Sequence, residues 1–515
     1  MEALGAVYEG NTEIVKIRLN PGIDLKLGEM IVAENERHRL VYKVVDIEYQ
    51  GLTGNLGSEI ISGNILSSSR NGVLKENIYG RDNMYKKISA IPLLDISREN
   101  PKKIKIIPDQ FSIIRKINID DIKRMNLDNG NLLLGYIRNG DEYNKDFQLR
   151  GDAREILSHH VFIVASTGRG KSNATKVMIN SLLDSGIGIF TIDPHNEYHE
   201  IFRNRKNVSY YSKNTLNNRG ANSIKIDLNK ITPEDLENTG YFTDTQIQAF
   251  VNRYKNIMKK GEFKTKENRV WLDYLFDKNY SDMASSTEKS LRRKFEFLFN
   301  ANIEENIELY ENNIFTRENI VKDSVENMVE DLEAGRIVIL DSSNLDDMQA
   351  ILIESMVANR IYERHFNLKN KDRIEEINNV VFVIEEARII LSNEFSKNGN
   401  DNIFMRIARE GRKFRIGLIA ISQLITPIDS DILSNINTFI ILGLENSNEI
   451  NKVVESTPTY LEMEKSIIRS LGKGEAIISS IFFDFPVPVY FPKIEDLTKN
   501  EMKKLPGKII GGSDV

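Results

Sequence analysis

The 515-residue chain contains no cysteine. Disulfides and thiolate metal sites are therefore excluded, and an intracellular, cytoplasmic setting is expected. Six histidines in a chain of this length also argue against a zinc enzyme. No apolar run approaches the ~18 residues that cross a bilayer, so no membrane anchor is expected. The opening Met-Glu-Ala-Leu-Gly has neither the basic segment nor the apolar core of a secretory signal. An excess of positive charge is missing too: the formal net charge is −6, so a nucleic-acid partner would need a local basic surface. What is present, 40% hydrophobic and 28% charged residues, is a globular composition. The length predicts two or three domains.

The most informative stretch is 161–175, Val-Phe-Ile-Val-Ala-Ser-Thr-Gly-Arg-Gly-Lys-Ser-Asn-Ala-Thr. It reads as a buried strand, a turn of small residues over 165–170, and a helix opened by Lys171 and Ser172. This is the phosphate-binding loop G-x-x-x-x-G-K-[ST], with Ala165 at the first glycine position. Gly168 and Gly170 let the backbone curl so that successive N–H groups face phosphate oxygens, and the helix N-terminus adds to that field. Lys171 reaches the outer phosphates and the Ser172 hydroxyl suits Mg²⁺. Ser166, Thr167, Gly168, Arg169, Gly170, Lys171, Ser172 and Asn173 are thus the candidate ATP-binding residues.

Before the loop, short Val/Ile/Tyr-rich runs at 6–8, 13–19, 30–33 and 40–49 predict a small barrel or sandwich. A polar loop is expected over 51–80, and 90–95 and 103–108 are expected to complete the barrel. A strand at 132–138, a turn at Asn139-Gly140 and the run 147–150 lead to the phosphate loop. After it, 187–192 reads as a second buried strand ending in Asp193-Pro194-His195-Asn196-Glu197-Tyr198. Two readings of Asp193 and Glu197 stand: carboxylates near the nucleotide, since ligands collect at the carboxyl ends of such strands, or a cap followed by a turn. A strand is expected at 223–228. From Thr232-Pro233-Glu234-Asp235, a helix start, the pattern to about 329 is helical and polar with no strand signal. Within it, 251–300 holds 12 Lys+Arg against 7 Asp+Glu. Lys259, Lys260, Lys264, Lys266 and 292–294 are phosphate contacts on one reading and solvated helix faces on the other.

The sheet resumes at 336–341, followed by a helix over 346–365. The apolar run 379–384 then closes on Glu385-Glu386. Roughly two hundred residues after a phosphate loop, this is the second signature of the same chemistry. The first acid orients Mg²⁺ and the second aligns or deprotonates the attacking water. Arg409 and Arg412, one helical turn apart, suit stabilisation of charge on the phosphoryl oxygens from an adjoining subunit. Gln423, closing the strand 416–421, could sense the terminal phosphate. Further strands are expected at 438–444 and 475–480. The run 485–492, with three prolines, predicts an edge strand or arm.

On Ser158-His159-His160, 165–173, 193–198, 384–387, 407–414, 417–423 and 474–477, the chain resembles HerA, the archaeal hexameric DNA translocases of the FtsK/HerA branch of phosphate-loop ATPases. It departs from that pattern at Ala165, at Glu385, where Asp is usual, and at Asn196, where Gly is usual. The resemblance implies an α/β, RecA-like core with an N-terminal small β-barrel and a helical insertion. The expected domains are a barrel over 1–145, core over 146–230, insertion over 231–330, core over 331–482 and an arm over 483–515. It implies a homo-hexamer that hydrolyses ATP with Mg²⁺ to translocate double-stranded DNA, acting with a NurA-type nuclease in DNA end resection. The loop 393–402, after the second acid, is a candidate pore loop with Lys397 facing DNA. Other cargoes, as in conjugation or packaging ATPases, and a nucleotide-gated ring that clamps an effector without pumping, are the alternatives.

Overall fold

The computed structural model describes residues 3–51, 84–202, 205–215, 220–260, 270–276, 284–304, 306–392 and 402–498. The chain divides into two compact units, one made of 1–152, 164–177 and 438–492, the other of 153–163, 178–437 and 493–515.

In the first unit, six antiparallel strands close into a barrel. The order is Val15–Leu19, Gly5–Gly10, Ile113–Lys116, Met30–Glu34, Arg39–Gly51 and Met84–Asp95, which returns to Val15–Leu19. Period-two alternation explains the inside: Val15, Ile17 and Leu19 are buried, whereas Lys16 and Arg18 between them are not. Their buried partners include Val7, Ile31, Tyr42, Val44, Ile88 and Ile114. The strand expected at 103–108 is not the one that closes the barrel. Only Lys102–Lys103 pairs there, as a short flap on Leu94 and Asp95. Ile106 and Ile107 are exposed, while Ile114 is fully buried between two partner strands. Both runs have strand composition, and long-range pairing chooses between them.

The same unit holds a second antiparallel set, ordered Thr438–Leu442, Glu475–Ser480, Val487–Tyr490, Leu132–Asn139 and Glu142–Gly151. The last two form a hairpin through Gly140. Val487–Tyr490 is therefore an interior strand, not the edge strand or arm that its prolines suggest. Its ladder to Leu132–Asn139 runs through Val489 and Tyr490, beyond Pro486 and Pro488, while Pro488 stands opposite Ile477 in the ladder to Glu475–Ser480.

The second unit is built on strands ordered Asn222–Ser223, Val208–Ser212, Ile337–Asp341, Gly188–Asp193, Val380–Ile384 and Ile416–Ser422, each parallel to its neighbours. Val161–Val164 follows at the end of this order. Val380–Ile384 and Ile416–Ser422 are buried along their whole length, as central parallel strands are. His160 is buried and takes the left-handed conformation. Its Nδ1 accepts from the Leu418 amide at 3.1 Å, and burial holds the imidazole down to about 4. A neutral buried histidine stabilises the fold above its unfolded pKa, and that stability is lost as pH falls from ~6.5 toward 4. Asn tolerates the left-handed backbone and keeps an acceptor near Nδ1. His160→Asn is therefore expected to flatten this acid dependence in thermal melts; an unchanged slope between pH 6.5 and 4 would count against it.

The stretch expected to be all-helical contains short strands as well. Helices Pro233–Glu237, Asp244–Lys260, Ser285–Phe299 and Ser324–Glu333 are joined by the Ala301–Ile303/Ile307–Leu309 hairpin and by Phe315–Thr316, which pairs with Ile226–Asp227. The strand expected at 223–228 is split into Asn222–Ser223 and Ile226–Asp227. An aromatic cluster of Phe242, Phe250, Phe295 and Phe299 fills this region. Arg292 and Lys294 serve the fold and not phosphate: Arg292 donates to the Glu304 carbonyl at 2.7 Å, and Lys294 to the Tyr241 carbonyl at 2.6 Å. Two-residue strands lack the length for a periodicity signal. No described helix is long and apolar enough to cross a membrane.

Candidate nucleotide site

Val161–Val164 ends in the turn that opens helix Lys171–Ser181. Gly168 and Gly170 have φ of 77° and 109°. Open space surrounds Gly168, so backbone conformation alone demands glycine there. Ala165 is fully buried, so the methyl that replaces the usual glycine fits the packing. The loop is tied down from several sides. The Ser166 amide donates to the Gly443 carbonyl at 3.0 Å, and Arg169 accepts from the Gly474 amide at 3.0 Å. The Arg169 guanidinium donates to the Leu471 carbonyl at 3.0 Å and pairs with Glu445 at 2.8 Å. Asn173 donates to the Pro492 carbonyl at 2.8 Å. Of the eight residues read as ATP-binding, Arg169 and Asn173 thus have side chains that hold the loop. Thr167, Gly168 and Ser172 are exposed. Lys171 Nζ donates back to the Ala165 carbonyl at 3.1 Å, across the turn it would vacate for phosphate.

In the other unit, Val380–Ile384 delivers Glu385 and Glu386 at its carboxyl end, beside the ends of Gly188–Asp193 and Ile416–Ser422. Glu386 has φ of 48°, the left-handed region that non-glycine residues occupy at a cost. Its carboxylate is held from both sides: Gln423 Nε2 donates to Oε1 at 2.9 Å and Arg388 Nε to Oε2 at 3.1 Å. Gln423, read as a phosphate sensor, therefore grips the second acid. Arg388 escaped the sequence reading, although its place two residues after Glu386 was the available signal.

Asp193 closes the turn that follows its strand. Its carboxylate accepts from the Glu197 and Tyr198 amides at 2.8 and 2.9 Å, and Glu197 is exposed. Burial raises the Asp193 pKa against these hydrogen bonds. Asn196, at the position where glycine is usual, has φ of 56°, which asparagine tolerates best among larger residues. Its Oδ1 accepts from the Tyr210 hydroxyl at 2.8 Å.

Glu354 was also missed. It lies on helix Asp347–Lys369, fully buried, with no hydrogen-bond partner for Oε1 among the described residues. Burial, and then the charge of Glu385, push it up to about 8. A single acid among Ile353, Met356 and Val357 was the legible anomaly. Arg412 is exposed and makes no side-chain hydrogen bond or ion pair among the described residues, whereas Arg409 is half-buried. Lys397 lies outside the described residues, as do Lys264 and Lys266. No group of three or more metal-binding side chains occurs among the described residues.

The family model for the central domain of helicase HerA matches residues 134–361. The chain is similar to the HerA helicases over this segment. Among HerA relatives, the DNA double-strand break repair helicase HerA of Pyrococcus furiosus is 25% identical over 96% of this chain and 93% of its own. That of Sulfurisphaera tokodaii is 27% identical over 70% of each chain. Among solved structures, VirB4 of Thermoanaerobacter pseudethanolicus aligns with a TM-score of 0.47 at 15% identity, over 71% of this chain and 97% of that one.

Proposed function

We propose that this HerA-like chain is an ATP-hydrolysing DNA helicase that translocates double-stranded DNA as a homo-hexameric ring and works beside a NurA-type nuclease in DNA end resection. The observation that carries the hydrolytic part is the fixed carboxylate of Glu386. A left-handed backbone aims it, and Gln423 and Arg388 hold its two oxygens. Such rigidity suits a group that must orient a water and take its proton.

The loop amides from Ser166 to Asn173 and the Lys171 ammonium are assigned to the phosphates. Ser172 and Glu385 are assigned to Mg²⁺, whose chemistry is to neutralise charge on the phosphate oxygens. Helicase and repair names among relatives that share nearly the whole length favour DNA as the cargo. An acidic chain can still hold DNA in a ring, because each inward cation is repeated sixfold and phosphate contacts carry no sequence preference.

Arg412 supports the ring: an exposed arginine with no described partner suits a neighbouring subunit's nucleotide. Arg412→Ala is expected to assemble normally and lose ~10³-fold in turnover. Mixing it with Glu386→Gln should restore part of the activity, since some interfaces then carry both intact groups. No recovery at any mixing ratio would remove Arg412 from the trans role, and pass it to Arg409 if that variant behaves so.

The whole reading is tested by ATP turnover with and without duplex DNA, on a sample of known mass in solution. A six-subunit particle whose turnover rises with DNA supports it. A ring indifferent to DNA would make the chain a nucleotide-gated clamp instead.

A further inference from the structure

Helix Asp244–Lys260 buries Ile247, Phe250 and Ile257 and turns its other face outward. Gln248, Asn252, Lys255, Asn256 and Lys259 are exposed on that face, at spacings of three and four residues. They run roughly 16 Å along the axis at 1.5 Å per residue. Together with Arg253, and with Ala284 and Thr287 from the start of the next helical segment, they line an open groove of about 600 Å³.

The lining is chemically one-sided. It contains three cations, several amides and hydroxyls, and no carboxylate. Random surface in this chain is different, because acids outnumber Lys and Arg by 75 to 69 overall. Arg253 is partly engaged, with Nε donating to the Tyr274 carbonyl at 3.2 Å. Lys255 and Lys259 make no ion pair or hydrogen bond among the described residues. Two unneutralised ammonium groups one helical turn apart, flanked by amide donors, match a row of phosphodiesters. Asn, Gln and Thr side chains also donate hydrogen bonds to phosphate oxygens, without reading bases. No hydrophobic anchor lines the groove, as the centre of a protein interface would require.

We propose that this groove is a second, sequence-independent contact for the nucleic-acid backbone, carried by the helical insertion and separate from the ATP-hydrolysing residues. The inference rests on the DNA-translocase reading and adds to it a place where the duplex is held outside the catalytic core.

The test is the full chain carrying Lys255→Gln and Lys259→Gln together, both exposed changes that replace an ammonium by a neutral amide. Its affinity for a fluorescein-labelled duplex of mixed sequence is measured by anisotropy over a range of salt concentrations. Binding is expected to weaken about tenfold at moderate salt. The log–log salt slope should become shallower by about two, close to the ~0.9 per lost phosphate contact. Lys→Arg at both positions should restore both values, and turnover without DNA should not move. Unchanged affinity and slope, in a parent that does bind duplex, overturn the groove alone and leave an acidic protein as its partner. Weaker binding with equally reduced DNA-free turnover also overturns it, because the damage is then to the fold. A parent that binds no duplex at all overturns the cargo assignment itself.

Discussion

Glu386→Gln is expected to bind ATP as tightly as the parent and to hydrolyse it ~10³-fold more slowly, within the 10²–10⁴ range for removal of a general base. Glutamine has the same shape and keeps Oε1 as an acceptor for Gln423, which donates to it at 2.9 Å. The Gln423 contact should therefore survive, while the amide nitrogen at the place of Oε2 can neither accept from Arg388 nor take a proton. Rapid mixing with a fluorescent ATP analogue reads the binding, and a single-turnover experiment reads the chemistry. The two together separate this outcome from misfolding, which would abolish both. A variant that turns over at the parental rate would move the water-orienting role to another acid. Gln423→Ala should show a smaller defect, because Arg388 still holds the other oxygen.

Lys171→Ala is expected to remove turnover entirely and to weaken ATP binding, while leaving the melting temperature near that of the parent. The ammonium donates to the Ala165 carbonyl at 3.1 Å and is not sealed in the core. Its removal takes a charge from a partly exposed position and not from a sealed core. The loop itself stays anchored through Ser166, Arg169 and Asn173. Undiminished hydrolysis in this variant would take the loop out of the mechanism. Arg169→Ala is the informative companion. Its guanidinium grips Leu471 and Glu445, so its loss should raise the KM for ATP far more than it lowers kcat.

The elements that sequence made legible are those with a local cause. The phosphate loop shows itself because turn, glycine and lysine are consecutive. The acid pair shows itself because a fully buried parallel strand is a continuous apolar run. Asn196 was flagged as a departure, and its left-handed backbone explains why asparagine can stand there. What was not legible depends on distant partners. Ile113–Lys116 and the 103–108 run are both strand-like, and only pairing on two sides selects the former. The prolines in and beside Val487–Tyr490 disguise an interior strand, because the ladder on its Leu132–Asn139 side begins just past them. Glu354 gains its meaning from Glu385, about thirty positions later and across a helix–strand crossover.

The anchors of the phosphate loop have a consequence for how the protein is made. Arg169 is fastened to Leu471, 302 residues downstream, and Asn173 to Pro492, 319 residues downstream. A nascent chain that has emerged only as far as its first signature motif therefore owns the right sequence but lacks the braces that hold it open. During synthesis the polypeptide should stay blind to triphosphate until nearly all of it has left the ribosome. Truncations ending before Pro492 should inherit that blindness, and a half-built motor is spared from trapping nucleotide it cannot use.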